Sequence, residues 1–149
     1  MASFVRESKY RHVNVELARR EQWYEQLNVS SHLPDGNLIA ASSKSLAYVD
    51  AGGGGSGVSV IPLTSVGKNH IPVTASTYRV PVVRAHAGPV NDVVFDRFDP
   101  DTLMTCAADA EVRLWSLPTG GMVEDLSAPA SSISAEGIAS WRELAVHPS

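Results

Sequence analysis

The chain has 149 residues and a mass of 15.9 kDa, about the length of one domain. A hydrophobic fraction of 44% is enough for a packed core, and frequent Gly, Pro, Val and Ser favour short strands joined by turns over long helices. The net charge of −4 is uneven, with residues 1–20 at +3 and the rest at −7, and the single Cys106 excludes an internal disulfide framework and a Cys-based zinc site.

Residues 3–13 form a basic arm ending in Ser8-Lys9-Tyr10-Arg11-His12-Val13. Met1-Ala2-Ser3-Phe4 opens no long apolar run, which argues against a signal peptide. Nowhere does the chain approach the roughly 18 consecutive apolar residues of a membrane helix. A soluble, cytoplasmic protein is the expectation. A basic arm on an acidic body favours an acidic partner through its local field; a solvated surface segment accounts for the charge equally well.

Residues 14–27 read as weakly helical, with Asn14 as a cap and Leu17, Ala18, Gln22 and Glu25 tolerating a helix. From Leu38 the pattern changes to short apolar runs. Residues 38–41 and 46–49 flank Ser42-Ser43-Lys44-Ser45 as a hairpin. The glycine run at 52–57 makes the next turn, and residues 58–63 give a third strand that stops near Pro62. Residues 64–80 read as a polar connection.

Residues 86–115 carry the most information. His86-Ala87-Gly88-Pro89 precedes a strand around Val93-Val94-Phe95. A turn at Asp99-Pro100-Asp101 leads to Leu103-Met104-Thr105-Cys106-Ala107. A tight turn around Asp109 then leads to Val112-Arg113-Leu114-Trp115. Residues 117–121 are another turn, 122–126 are expected to be a fourth, outer strand, and 127–137 are expected to be loop.

The order His, Asp, Trp with strands between resembles one WD40 repeat, a unit of roughly 40–45 residues that gives four strands of a propeller blade. The resemblance implies a hydrogen-bonded network of His86, Asp109 and Trp115 with a hydroxyl. Three departures stand out. Ala85 replaces the usual glycine before the histidine, Ser116 follows the tryptophan, and the hydroxyl expected at 107 is Ala107. Thr105 lies on the same strand face as Ala107 and is expected to substitute only in part. A buried polar network with a missing member is weaker than a full one, so the blade is expected to lean on apolar packing by Val93, Phe95, Leu103, Val112 and Leu114.

Other motifs are weaker. His, Asp and a hydroxyl also occur in hydrolase triads, but no Gly-x-Ser-x-Gly elbow surrounds a serine here. The glycine run satisfies G-x-G-x-x-G. A dinucleotide site needs a helix next, and Val58-Ser59-Val60-Ile61-Pro62 is strand-like. The five histidines have no metal-ligand spacing. The reading is a binding module, not an enzyme, with no cofactor, no metal and no nucleic-acid partner.

The arm narrows the family. Phe4-Val5-Arg6-Glu7-Ser8-Lys9-Tyr10-Arg11-His12-Val13 resembles the opening of coronins, and Tyr24-Glu25-Gln26-Leu27-Asn28-Val29-Ser30 is similar to their Y-E-D-I-R-V-S stretch. Leu46-Ala47-Tyr48-Val49, the glycine turn and Val60-Ile61-Pro62-Leu63 follow in the same order. Glu136-Gly137 through His147-Pro148 resembles the start of a further repeat, with Ile138 where the histidine stands.

The fold this implies is all-β, a partial WD40 β-propeller of about one and a half to two blades, truncated before ring closure. Its organisation is read as residues 1–80, a coronin-type N-terminal segment with first strands; 81–126, a WD40 repeat; and 127–149, a linker and the start of a second, truncated repeat. Such a fragment leaves strand edges open and is expected to be marginal or aggregation-prone alone. The family resemblance implies binding of actin filaments (F-actin), regulation of the cytoskeleton together with the Arp2/3 complex and cofilin, and a cytoskeletal location. Arg6, Lys9 and Arg11 are the candidate actin contacts; packing of the arm against the last blade explains them equally. Asn28 stands where the family has the arginine associated with filament binding, so a bidentate cation is absent there. The alternative is a WD40 scaffold of the two-propeller coronin type, acting in Golgi or endosomal trafficking.

Overall fold

The computed structural model describes residues 16–31, 35–68, 71–74, 77–134 and 143–145. Twelve strands occur among them. In chain order they are β1 (Tyr24–Glu25), β2 (Ile39–Ala41), β3 (Ser45–Asp50), β4 (Gly57–Pro62), β5 (Gly67–Lys68), β6 (Ile71–Thr74), β7 (Thr77–Arg79), β8 (Val82–Val83), β9 (Val90–Phe95), β10 (Thr102–Ala107), β11 (Glu111–Ser116) and β12 (Ser131–Ser134). Two four-stranded antiparallel sheets dominate, in the orders β2-β3-β4-β8 and β9-β10-β11-β12. Among the described residues the fold is all-β, as expected for part of a propeller, and the sheets close no ring.

The first sheet forms because Val, Tyr and Ile alternate with small residues on β3 and β4, a pattern suited to a pleated, packed surface. Ser42 turns the β2–β3 hairpin: its hydroxyl accepts the amides of Lys44 and Ser45 at 3.2 and 3.0 Å. The glycine run turns β3 into β4 with Gly53, Gly54 and Gly55 all at positive φ, a conformation glycine adopts without steric cost. The second sheet repeats the meander. Its β10–β11 turn is tighter and holds Ala110 at φ 59°.

The two sheets pack face to face. Val49, Val58, Val60 and Val83 of the first share one core with Val93, Phe95, Leu103 and Trp115 of the second. Ala85, Leu117 and Met122, from connecting segments, fill the seam. Trp115, Leu103, Val58, Val83 and Val90 have no exposed surface. Burying each large side chain contributes roughly 1.5–3 kcal/mol, so this seam is the main source of stability.

Three segments differ from expectation. Residues 16–27 are not helical beyond one 3-10 turn, Arg20–Gln22. Trp23 is extended, and β1 pairs in parallel with β5, while the Tyr24 hydroxyl donates to the Leu63 carbonyl at 2.7 Å. Sheet pairing outweighs a weak local helical preference there. The connection at 64–80 holds β5, β6 and β7, and β8 then completes the first sheet. The outer strand of the second sheet is β12, not residues 122–126. Met122 is drawn into the core, and Leu126 crosses to the first sheet, donating its amide to Val82 and accepting that of Arg84 at 3.1 and 2.8 Å. The Ser-rich stretch at 131–134 takes the free edge of β11 instead.

Candidate functional site: a buried hydrogen-bond chain and the face above it

His86 lies in the segment before β9, Thr105 in the middle of β10, Asp109 in the β10–β11 turn and Trp115 on β11. The strand register brings all four together. His86 Nδ1 is 2.9 Å from both Asp109 oxygens, and His86 Nε2 is 2.8 Å from Thr105 Oγ1. The Trp115 indole donates to the same hydroxyl at 3.0 Å. A neutral imidazole satisfies every atom: Trp115 N–H to Thr105, Thr105 O–H to His86 Nε2, and His86 Nδ1–H to Asp109.

The chain is thus complete with no hydroxyl at position 107. Thr105 is its hub, fully buried, with one donor and one acceptor contact. Ala107 sits beyond a register shift at Cys106/Ala107, where the β9–β10 ladder bulges. The sheet therefore does not rest on apolar packing alone.

Burial lowers the His86 pKa below its usual value, outweighing the hydrogen bond and charge of Asp109 that act to raise it. For Asp109, burial acts to raise the pKa. The bond and charge of His86 and the amides of Glu111 and Ala87 outweigh it, and the net shift is downward. The Arg113 guanidinium steadies the same corner, reaching the Ala85 carbonyl and Glu111 at 2.7 Å and Asp109 at 3.7 Å.

Hydroxyl, imidazole and carboxylate stand in line as in a hydrolase, yet the chemistry does not follow. Thr105 has no exposed surface, and its oxygen is occupied by the indole N–H, so no substrate carbonyl reaches it. No cluster of His, Cys, Asp or Glu among the described residues suits a metal ion, and no described helix is long and apolar enough to cross a membrane.

Above this corner lies an open groove of about 430 Å³ lined by Asp50, Gly53, Ser56, Arg84, His86 and Asp125. Its charged groups already have partners: Arg84 meets Asp125 at 3.2 Å, and Asp50 accepts the Gly52 amide at 2.7 Å and the Asn28 amide group at 3.2 Å. Asn28 is exposed on this rim. Arg6, Lys9 and Arg11 lie outside the described residues.

The structure adds one residue that strand patterning does not single out. Asp92 on β9 is fully buried and takes three amides, from Asn37 at 2.8 Å, Val93 at 2.9 Å and Leu144 at 2.6 Å. A single carboxylate so ties the approach to β2 and the segment at 143–145 to the inner strand of the second sheet. The signal was a carboxylate interrupting Val90-Asn91-Asp92-Val93-Val94, where an apolar strand would otherwise run.

Residues 3–68 match the family model described as a domain of unknown function, DUF1899. The chain is 33% identical over 134 residues to Coronin-A of Dictyostelium discoideum, covering 89% of the chain and 28% of that protein. It is 35% identical over 115 residues to the Coronin-like protein of Saccharomyces cerevisiae, covering 77% and 17%. Against Coronin-2B of Homo sapiens it is 30% identical over 122 residues, covering 82% and 24%. The solved WD40 domain of Toxoplasma gondii coronin superposes with a TM-score of 0.67 at 25% identity, covering 77% of this chain and 28% of that one. The chain spans less than a third of the length of each of these relatives.

Proposed function

Because the chain belongs to the coronin family and corresponds to its N-terminal region, we propose that it serves in binding actin filaments and regulating the cytoskeleton. The coronins are non-enzymatic WD40 proteins, and this chain is a binding module rather than an enzyme. The observation that carries the reading is the family match over residues 3–68, which holds Arg6, Lys9, Arg11 and Asn28 in one segment. Three cations close together suit an acidic filament surface, with the Arp2/3 complex and cofilin as further partners and the cytoskeleton as the location.

A specific observation favours a second reading. Asn28 is neutral and its amide donates to Asp50. The rim thus presents no guanidinium at the position where the family has one, which suits a trafficking scaffold of the two-propeller kind. Co-sedimentation of the full-length gene product with F-actin at two salt concentrations separates the two. Salt-sensitive pelleting, lost when Arg6, Lys9 and Arg11 are reversed to Glu, is the expected result. Failure of the folded wild type to pellet at low salt moves the assignment to the scaffold.

A further inference from the structure

The turn between β9 and β10 is unlike the other turns of the two sheets. It carries Phe98 at its tip with 71% of its surface exposed. An exposed aromatic on a floppy loop means little, but this loop is held. Asp96 accepts the Phe98 amide at 2.8 Å, and Asp99 accepts the Asp101 amide at 3.0 Å and the Thr102 hydroxyl at 2.7 Å. Asp101 in turn grips Lys44 of the neighbouring hairpin at 2.6 Å. The phenyl ring is presented on a braced scaffold, which reduces the ordering entropy that binding must overcome.

Next to it stands Arg97, also exposed. Lys44, Arg84 and Arg113 each meet a carboxylate; among the described residues Arg97 meets none. Beside both lies an open cleft of about 380 Å³, lined by Ala41, Ser42, Ser43, Phe95, Phe98 and Pro100. A cavity of about 150 Å³ accommodates a benzene ring, so the cleft has room for a phenyl group.

One patch therefore carries an aromatic knob and a hole that fits one, and a lone cation between the carboxylates of Asp96 and Asp99. A two-fold interface requires that the same patch be complementary to itself. We propose that this turn is a self-association surface: Phe98 of each copy seats in the cleft of a second copy, and Arg97 faces the second copy's Asp96 and Asp99. Three aspartates on one short turn disfavour a phospholipid surface or a nucleic acid as the occupant. The patch is small, so the dimer is weak and transient, below the size of a stable interface.

Sedimentation velocity of the purified chain over a concentration series tests this. Wild type passes from monomer to dimer. Phe98→Ser and Arg97→Glu each raise the dissociation constant about tenfold or more, as for a central aromatic or arginine anchor, and Arg97→Lys has a smaller effect. Ile133→Lys, on the exposed edge strand β12, is the control for association through open edges and leaves the dimer unchanged. Circular dichroism shows that each variant folds, since all three side chains lie on the surface. A wild type that stays monomeric into the millimolar range overturns the proposal, as does association that Phe98→Ser and Arg97→Glu leave intact.

Discussion

The two sheets are both four-stranded and antiparallel, but the first has the shorter inner and outer strands and the two are held together differently. In the second, a continuous chain of hydrogen bonds runs from Trp115 through Thr105 and His86 to Asp109. In the first, Asp50 ends β3 just before the corresponding turn, and its contacts are to Asn28, to Gly52 and, at 3.4 Å, to Ser59. No described indole or imidazole stands behind it. The first sheet relies on aliphatic packing by Val49, Val58, Val60 and Val83, and the second adds a directional polar lock. One blade geometry thus has two solutions, one tolerant of side-chain shape and one that demands particular atoms at particular places.

The largest expected effect is at the hub of that lock. Thr105→Val keeps the shape but strands the indole N–H and the imidazole Nε2, and is expected to cost about 2–5 kcal/mol by denaturant unfolding. Ser59→Ala, at the buried hydroxyl of the first sheet, removes the long bond to Asp50 and the contact with Tyr48 and is expected to cost about 1 kcal/mol. Equal losses at the two positions would dissolve the contrast.

Acid should separate the sheets next. The folded pKa of His86 lies below its ordinary 6.5, so protons bind the unfolded chain more readily. Its contribution is full above pH 6.5 and is lost as pH falls below that value towards the depressed folded pKa. Asp109 is also depressed, so its contribution is present above its ordinary 3.8 and is lost at still lower pH. Thermal unfolding of the wild type should therefore shift to lower temperature on acidification below about pH 6.5. His86→Gln should flatten the upper part of that slope, whereas Ser59→Ala should leave it unchanged.

The smallest effects lie in the turns. Ala110 holds a left-handed conformation that glycine tolerates better, so Ala110→Gly is expected to stabilise by about 1 kcal/mol. Gly54 has φ 74° and open space around its Cβ position, so Gly54→Ala is expected to cost about the same through backbone strain alone. Chemical denaturation of both variants checks the opposite signs.

The residues that could be read from sequence are those whose spacing is dictated by strand geometry. His86, Asp109 and Trp115 stand at intervals that the meander enforces, and Thr105 shares a strand face with the position first expected to hold the hydroxyl. Less legible was what depends on partners far along the chain. β12 has no apolar alternation because it is an exposed edge, so Ser131–Ser134 resembles a loop. Residues 122–126 look like a strand, but Leu126 pairs with the other sheet. Asp92 is explained only by the amides of Asn37 and Leu144, which lie 55 and 52 residues away.

That crossing at Leu126 matters while the chain is being made. The outer strand β8 has its Val82 amide bonded to Asp125 and its Val82 carbonyl to Leu126. A ribosome adding roughly 5–20 residues per second delivers residue 126 about 2–9 seconds after residue 82. For that interval the first sheet emerges with a bare outer edge, and during translation this is the stretch that a chaperone has reason to guard.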